Sequence, residues 1–214
     1  MIRWLTIAIS LLLLNGCSAF IVSDVTVFHE IPESFPGTTY AVIPFKEQQN
    51  SLEHKNYELS VKRELSSRGF REVPPADADI AIFITYGIDG GKQVVESYPI
   101  FGKTGVSSSY TTGSVYSYGH YGNYSGTTTY TPTYGVVGTG ISTSTEYTRY
   151  FKLEILDKDA LAKNQIIKLY EGKVVSKGGV GHLPVVLPYM IVALFEDFPG
   201  KSGSTRRSKL TIDE

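Results

Sequence analysis

The chain has 214 residues, a formal net charge of −1 and a single cysteine. A near-neutral charge leaves no basic surface for nucleic acid, so we exclude a nucleic-acid partner, and one cysteine excludes an internal disulfide. We also expect no metal and no cofactor, because the four histidines lie far apart without the spacing of zinc ligands: His29, His54, His120 and His182.

The N-terminal segment has the order of a secretory leader. One positive charge, Arg3, precedes an apolar run from Trp4 to Leu14, and small or polar residues follow. The run is too short to cross a bilayer, because a crossing takes about 20 apolar residues. We therefore predict a cleaved signal peptide over residues 1–16.

The only cysteine, Cys17, stands directly after this leader. Leu14, Asn15 and Gly16 precede it, and the four residues resemble the bacterial lipobox. The resemblance implies that the thiol carries a diacylglycerol, that the leader is cut before Cys17, and that the new amino group is acylated, for example with palmitate. Ser18 stands where an Asp would retain such a lipoprotein in the inner membrane, which implies an outer-membrane anchor with the domain facing the periplasm. An ordinary signal peptide with an incidental cysteine is the alternative.

A short tether, two strands and a helix are predicted next. Residues 17–23 span about 20 Å at ~3.4 Å per residue, so the folded domain stays close to the membrane. Alternating side chains predict strands over 24–30 and 38–45. An amphipathic helix over 51–68 begins after Asn50 as its cap, and its apolar row is Tyr57, Val61 and Leu65.

The following segments predict the rest of a sheet. Residues 79–88 are nearly all β-branched or aromatic and predict a central strand. Asp89-Gly90 is a hairpin signal that returns the chain through 92–101. Inward-facing residues alternate over 147–155, and 165–175 returns as the neighbouring strand.

The C-terminal part predicts a helix and a tail. An apolar helix opens at Pro188 and runs to about Phe198, and its length favours a core helix over a membrane span. Residues 200–214 are predicted to be disordered. We therefore expect an α+β domain over 24–199, with an antiparallel or mixed sheet of five or six strands and two helices on one face.

Residues 104–145 are a low-complexity segment without Asp, Glu, Lys or Arg, built from Tyr, Gly, Ser and Thr. The segment predicts a β-hairpin or loop arm. Tyrosine offers a large, stiff contact area with a polar group at its tip, which suits stacking on sugars or docking a protein. The candidate partner-binding residues are Tyr116, Tyr118, Tyr121, Tyr124, Tyr130 and Tyr134.

Catalysis is not expected from this sequence. Serines are common, but no Gly-x-Ser-x-Gly elbow stands between a strand and a helix. His182 follows a glycine-rich turn and is interpreted as a loop or capping histidine, although it is the residue on which a hydrolase would depend.

Six short motifs lie along the predicted strands and helices: "TYA" (39–41), "LSSRGF" (65–70), "ADI" (78–80), "LEILD" (153–157), "LYEG" (169–172) and "FP" (198–199). With these motifs, most of residues 24–199 resembles a family of bacterial lipoproteins known only as domain of unknown function 4136. Where the family has Trp-Arg-Gly in the penultimate strand, this chain has "YEG" (170–172). The resemblance implies the fold and the anchor, and it brings no catalytic residues.

These features together predict a lipid-anchored lipoprotein of the cell envelope that acts as a binding or assembly module. Cys17 attaches it to the membrane, and its arm contacts an envelope protein or glycan. The first alternative is a surface protein whose arm associates with itself, since an uncharged strand can add to another sheet edge. The second alternative is an envelope hydrolase.

Overall fold

The computed structural model describes residues 20–31 and 37–212. The predicted signal peptide and Cys17 lie outside the described residues. The chain divides into two compact units, of which one comprises residues 93–144 and the other the remainder. We call residues 93–144 the hairpin arm and the remainder the core unit, and we describe each by itself.

The described residues form eight strands and three helices. In chain order the elements are β1 Phe20–His29, β2 Thr39–Val42, a 3-10 turn Lys46–Gln48, α1 Leu52–Ser67, β3 Arg71–Glu72, β4 Ile80–Ile88, β5 Lys92–Tyr118, β6 Tyr121–Asp157, α2 Lys158–Ala162, β7 Lys168–Gly178, α3 Leu183–Phe195 and β8 Ser204–Thr211. The strands form one mixed sheet in the order β3-β2-β4-β6-β7-β1-β8, and β5 pairs with β6. The two pairings of β2 are parallel, and the pairings of β4 with β6, β6 with β7, and β1 with β7 and β8 are antiparallel.

The predicted sheet of five or six strands with two helices is wrong. The residues that the structure describes form an eight-stranded mixed sheet with three helices. The additional helix is the short α2, which Asp157 caps by accepting a 2.8 Å hydrogen bond from the Ala160 amide. This five-residue helix lies between the two segments predicted as neighbouring strands, 147–155 and 165–175.

The predicted disordered tail is also corrected, because Ser204–Thr211 forms β8. This strand pairs with β1 from Phe20 to Val27 at the edge of the sheet, so the backbone groups on its β1 side are hydrogen-bonded. Its sequence "STRRSKLT" is polar, yet Ser208 is buried and Leu210 packs against the core. The pairing with β1 orders a segment whose composition alone predicts disorder.

The two longer helices pack on one face of the sheet of the core unit. The predicted row on α1 is confirmed, because Tyr57, Val61 and Leu65 are all buried. The cap differs from the prediction: Ser51 Oγ accepts a 3.2 Å hydrogen bond from the His54 amide. Asn50 instead takes a positive φ of 67° in the preceding turn.

Helix α3 is apolar on nearly every side and lies in the core. It begins at Leu183 with Pro184 in its first turn, so Pro188 lies inside the helix and does not open it as predicted. Proline is tolerated in the first turn because the amides there have no partner within the helix. Among the described residues no helix is long and apolar enough to span a membrane.

The hairpin arm consists of the paired outer parts of β5 and β6. Its tip is the two-residue turn Gly119-His120, in which Gly119 has a φ of 61°. Such positive φ values are available to glycine without steric cost. Of the two forms that the sequence leaves open, hairpin and loop, the structure contains the hairpin.

Candidate functional site

The six tyrosines predicted as contact residues all lie in the hairpin arm. Their exposed fractions run from 59% at Tyr124 to 93% at Tyr118. Other large apolar side chains of the arm are exposed as well, including Phe101 at 71% and Tyr110 at 72%. The arm therefore presents apolar and aromatic surface along its length, of which the six predicted tyrosines are a part.

Hydrogen bonds across the arm assign these tyrosines to two opposite faces. Thr104 Oγ1 lies 3.1 Å from Thr133 Oγ1 on one face, and Thr111 Oγ1 lies 2.8 Å from Thr128 Oγ1 on the other. Successive side chains of a strand alternate between its faces. The six tyrosines therefore do not form one patch: the first face carries Tyr116, Tyr118 and Tyr121, and the second carries Tyr124, Tyr130 and Tyr134.

Glycines in the arm make room for aromatic rings. A Cβ atom at Gly113 would lie 2.6 Å from the hydroxyl oxygen of Tyr124, and one at Gly126 would also clash with that ring. A Cβ atom at Gly140 would lie 2.5 Å from Cζ of Tyr98 in the same way. Tyr124 and Tyr98 thus cover backbone within the arm, which is a structural role, and Tyr98 was not singled out from the sequence.

Both long edges of the arm are without a neighbouring strand. Strand β5 pairs with β6 alone, and over residues 121–144 strand β6 pairs with β5 alone, within the part of the chain that the structure describes. A two-stranded hairpin is marginally stable in water when nothing covers it. Unpaired edges also offer backbone donors and acceptors to another strand.

A buried polar row crosses the sheet of the core unit and was missed by sequence reasoning. Arg149 on β6 pairs in register with Ser176 on β7, which pairs with Ser23 on β1, and Ser23 pairs with Ser208 on β8. All four residues are buried. Arg149 donates from Nη2 to Ser176 Oγ at 3.1 Å and from Nη1 to the Val180 carbonyl at 2.9 Å.

The guanidinium of Arg149 has only neutral acceptors within hydrogen-bond distance. Burial lowers its pKa, and the more distant carboxylates of Asp89 and Glu146 oppose that shift. The sequence carried a signal for this site, since an arginine stands at an inward-facing position between Tyr147 and Phe151. Because the row is closed to solvent, we assign it a role in packing.

The four histidines belong to four different segments of the structure. His29 Nε2 is 2.9 Å from the Gly200 carbonyl, and His120 is in the turn of the arm. His54 is buried on α1, where burial lowers its pKa. His182 is exposed at the start of α3 and makes no capping hydrogen bond. Within residues 20–31 and 37–212 no three His, Cys, Asp or Glu residues could together hold a metal ion.

The face of the core sheet opposite the helices is open and charged; we call it the open sheet face. Lys152 Nζ lies 3.0 Å from Glu154 Oε1 and 2.9 Å from Glu171 Oε1, and Lys168 contacts the same two carboxylates. The hydrogen bond from Lys152 lowers the pKa of Glu171.

A second surface feature, away from the open sheet face, is a shallow groove of about 420 Å³ beside the start of α1.

The open sheet face continues towards the beginning of β1. There Arg207 Nε lies 2.8 Å from Asp24 Oδ1, and this hydrogen bond lowers the pKa of Asp24. A groove of about 550 Å³ on this face is lined in part by Tyr150, Lys173 and Val175. The face therefore combines paired charges with partly exposed aromatic and aliphatic side chains.

Comparison with known proteins gives a family and distant likenesses among solved structures. No curated protein matches the sequence. Among solved structures, the chain is similar to a PDZ domain protein from Parabacteroides distasonis ATCC 8503, at 14% sequence identity and a TM-score of 0.45. The likeness covers 97% of this chain and 42% of that one, so this chain spans less than half of that protein's length. A likeness at this level supports no inference about function.

The family resemblance is confirmed. The sequence profile of the family described as Domain of unknown function (DUF4136) matches residues 34–200, which include β2 to β7 and α3. The matched residues belong both to the core unit and to the hairpin arm. The chain belongs to the DUF4136 family.

Proposed function

We propose that this protein is a lipid-anchored binding or assembly module of the cell envelope, and that the hairpin arm is its contact element. The observation that carries the proposal is an arm whose two faces are exposed and whose two edges are unpaired. A contact along the arm would cover apolar side chains and satisfy edge amides and carbonyls at the same time.

The chemistry of the arm indicates the kind of contact. Residues 104–145 contain no Asp, Glu, Lys or Arg, so long-range attraction and repulsion contribute little to their association. Exposed tyrosines such as Tyr118 and Tyr121 present broad rings with a hydroxyl group. Such rings suit stacking on a glycan or packing against an envelope protein.

The anchor belongs to the same proposal. Cys17 follows a leader of lipoprotein type, and Ser18 favours transport to the outer membrane with the domain in the periplasm. Two or three acyl chains at Cys17 would hold the protein at the bilayer, because a single chain binds only marginally. The proposal assigns no catalytic step and no cofactor.

Self-association of the arm is the second candidate. An uncharged strand edge meets no like-charge repulsion from a second copy of itself, and the threonine pairs across the arm are compatible with further strand pairing. This candidate uses the same surface, so one experiment separates the two.

The test is photo-crosslinking in cells from position 118 of the lipidated protein. A matched photo-reactive residue at Leu59, which is 53% exposed on α1, is the control for general surface contact. We expect a discrete adduct from position 118 that is absent from position 59 and lost in Cys17→Ser. An adduct with the mass of two copies would select self-association. Equal labelling from both positions, or none from position 118 despite acylation, would contradict the proposal.

A further inference from the structure

We propose that the open sheet face, at the end where β1 begins, rests on a bilayer surface containing anionic phospholipid. The inference concerns a surface other than the hairpin arm. It rests on the proposed function in one respect, since it takes Cys17 as the lipid attachment point.

Cross-strand register places the relevant side chains together on one face. Asp24 on β1 lies between Val175 on β7 and Arg207 on β8, so these three share a face. Alternation adds Phe20 and Val22 from β1, with Lys209 directly opposite Val22. The same rule adds Lys177 and Lys173, each two residues from Val175.

The charges on this face do not cancel. Arg207 pairs with Asp24, and Lys152 and Lys168 are matched by two glutamates. Within the described residues, no ion pair is formed by Lys173, Lys177 or Lys209. On β7 and β8, the two strands beside β1, three positive charges therefore remain without an ion pair, in a chain whose net charge is −1. This excess is complementary to phosphate headgroups.

The apolar side chains on this face are those of an interfacial surface. Phe20 is 48% exposed and Val22 is 37% exposed, and both lie in the first part of β1, which pairs with β8 alone. The Nζ atom of Lys209 lies 3.8 Å from the centroid of the Phe20 ring. An aromatic ring beside a lysine can enter the headgroup region while the ammonium group reaches phosphate.

The position of Phe20 in the chain selects a membrane as the occupant. Phe20 is three residues after Cys17, and three residues span at most ~11 Å. With the acyl chains of Cys17 in the bilayer, Phe20 cannot lie farther than that from the headgroups. The Debye length is about 8 Å at physiological salt, so lysines at this end of the sheet are within range of anionic lipid.

The test measures vesicle binding without the lipid anchor. The protein is the mature chain, residues 17–214, carrying Cys17→Ser. The vesicles are phosphatidylcholine alone or an equal mixture of phosphatidylcholine and phosphatidylglycerol, and bound protein is measured by flotation. We expect binding to the mixed vesicles that high salt abolishes, and weak binding to phosphatidylcholine alone.

A pair of variants with the same charge change identifies the face. Lys177→Gln with Lys209→Gln is expected to weaken binding to mixed vesicles about 25-fold, at roughly five-fold for each basic residue. The control, Lys55→Gln with Arg63→Gln, removes two exposed cations of α1 and is expected to leave binding unchanged. Equal loss in both variants, or no difference between the two lipid mixtures, would overturn the inference.

A tryptophan reporter adds a measurement of position. The only natural tryptophan, Trp4, precedes the mature chain, so Phe20→Trp introduces a single reporter. Brominated lipid is expected to quench Phe20→Trp and to leave the control Leu59→Trp unquenched. The reverse pattern would refute the orientation. Palmitate labelling of the wild-type chain tests Cys17 separately, so failure of the anchor and failure of the face are distinguishable.

Discussion

Gly172 on β7 is the position at which a single added methyl group should be most informative about the core unit. A Cβ atom there would lie 2.7 Å from Leu194 Cδ1 on α3 and 2.7 Å from the ring of Tyr170. Leu194 is 1% exposed and Tyr170 is 1% exposed, so neither side chain can swing into solvent. Gly172→Ala should therefore destabilise the fold by about 2 kcal/mol, within the range for overpacked cores, and lower the Tm by about 6 °C.

The assay is urea unfolding followed by circular dichroism, with Gly90→Ala as the matched control. A Cβ atom at Gly90 would have no neighbour within 4 Å. The control should change the free energy of unfolding by less than about 0.5 kcal/mol. If Gly172→Ala is as stable as the control, the packing of α3 against β7 is looser than the contacts indicate, and the reasoning fails.

A double-mutant cycle tests the mechanism of the same effect. Leu194→Ala alone should cost about 3 kcal/mol because it leaves a cavity. In the double variant with Gly172→Ala, the cavity makes room for the new methyl group. The double variant should therefore be destabilised by about 1 kcal/mol less than the sum of the two single variants. Strict additivity would show that Gly172→Ala acts elsewhere, for example on the unfolded chain.

Three further predictions concern buried and hydrogen-bonded polar groups. The hydroxyl of Tyr170 is buried without a partner, so Tyr170→Phe should leave the free energy of unfolding unchanged or raise it. Tyr57→Phe removes a 2.9 Å hydrogen bond to Glu53 and should lower the free energy of unfolding by about 1 kcal/mol. Urea unfolding that ranks the two variants in the opposite order would contradict this prediction. Burial lowers the pKa of His54 in the folded state, so the unfolded chain binds the proton more tightly. The free energy of unfolding should therefore fall as the pH drops below about 6.5. His54→Leu should flatten that part of the stability-against-pH profile, and an unchanged slope would exclude His54 as its source. Hydrogen bonds from the hydroxyl and amide of Thr39 lower the pKa of Asp79 in the folded state. The Asp79 carboxylate therefore stabilises the fold above its unfolded pKa of about 3.9, and this stabilisation is lost at lower pH. Asp79→Asn should remove the acid-dependent loss, which a pH series of melting curves would detect.

Local patterns predicted those elements whose side chains repeat regularly. The row of Tyr57, Val61 and Leu65 indicated α1, and the run of β-branched residues over 79–88 indicated β4. The cap was displaced by one residue, because Asn50 and Ser51 are both good caps and the sequence does not show which one has the positive φ. Which of two adjacent residues caps a helix is decided by the conformation of the turn before it.

Long-range pairing accounts for most of what could not be predicted. Strand β8 is ordered by β1, which lies at the other end of the chain, and its own residues are polar. Arg149 is buried because Ser176 and Val180 supply acceptors from another strand and a loop. The tyrosines of the arm could be named from composition, but their division between two faces required the cross-strand hydrogen bonds.

The position of β1 constrains when the protein can fold. Among the eight strands that the structure describes, β1 is synthesised first, yet its two neighbours, β7 and β8, are synthesised last. Neither edge of β1 can be completed until nearly the whole chain is available, and non-local pairing of this kind is slow. The sheet of the core unit can therefore close on both sides of β1 only after β8 has been synthesised. A chain that ends before Ser204 would leave β1 with one open edge, so late truncations should affect folding as severely as changes near the beginning of the domain.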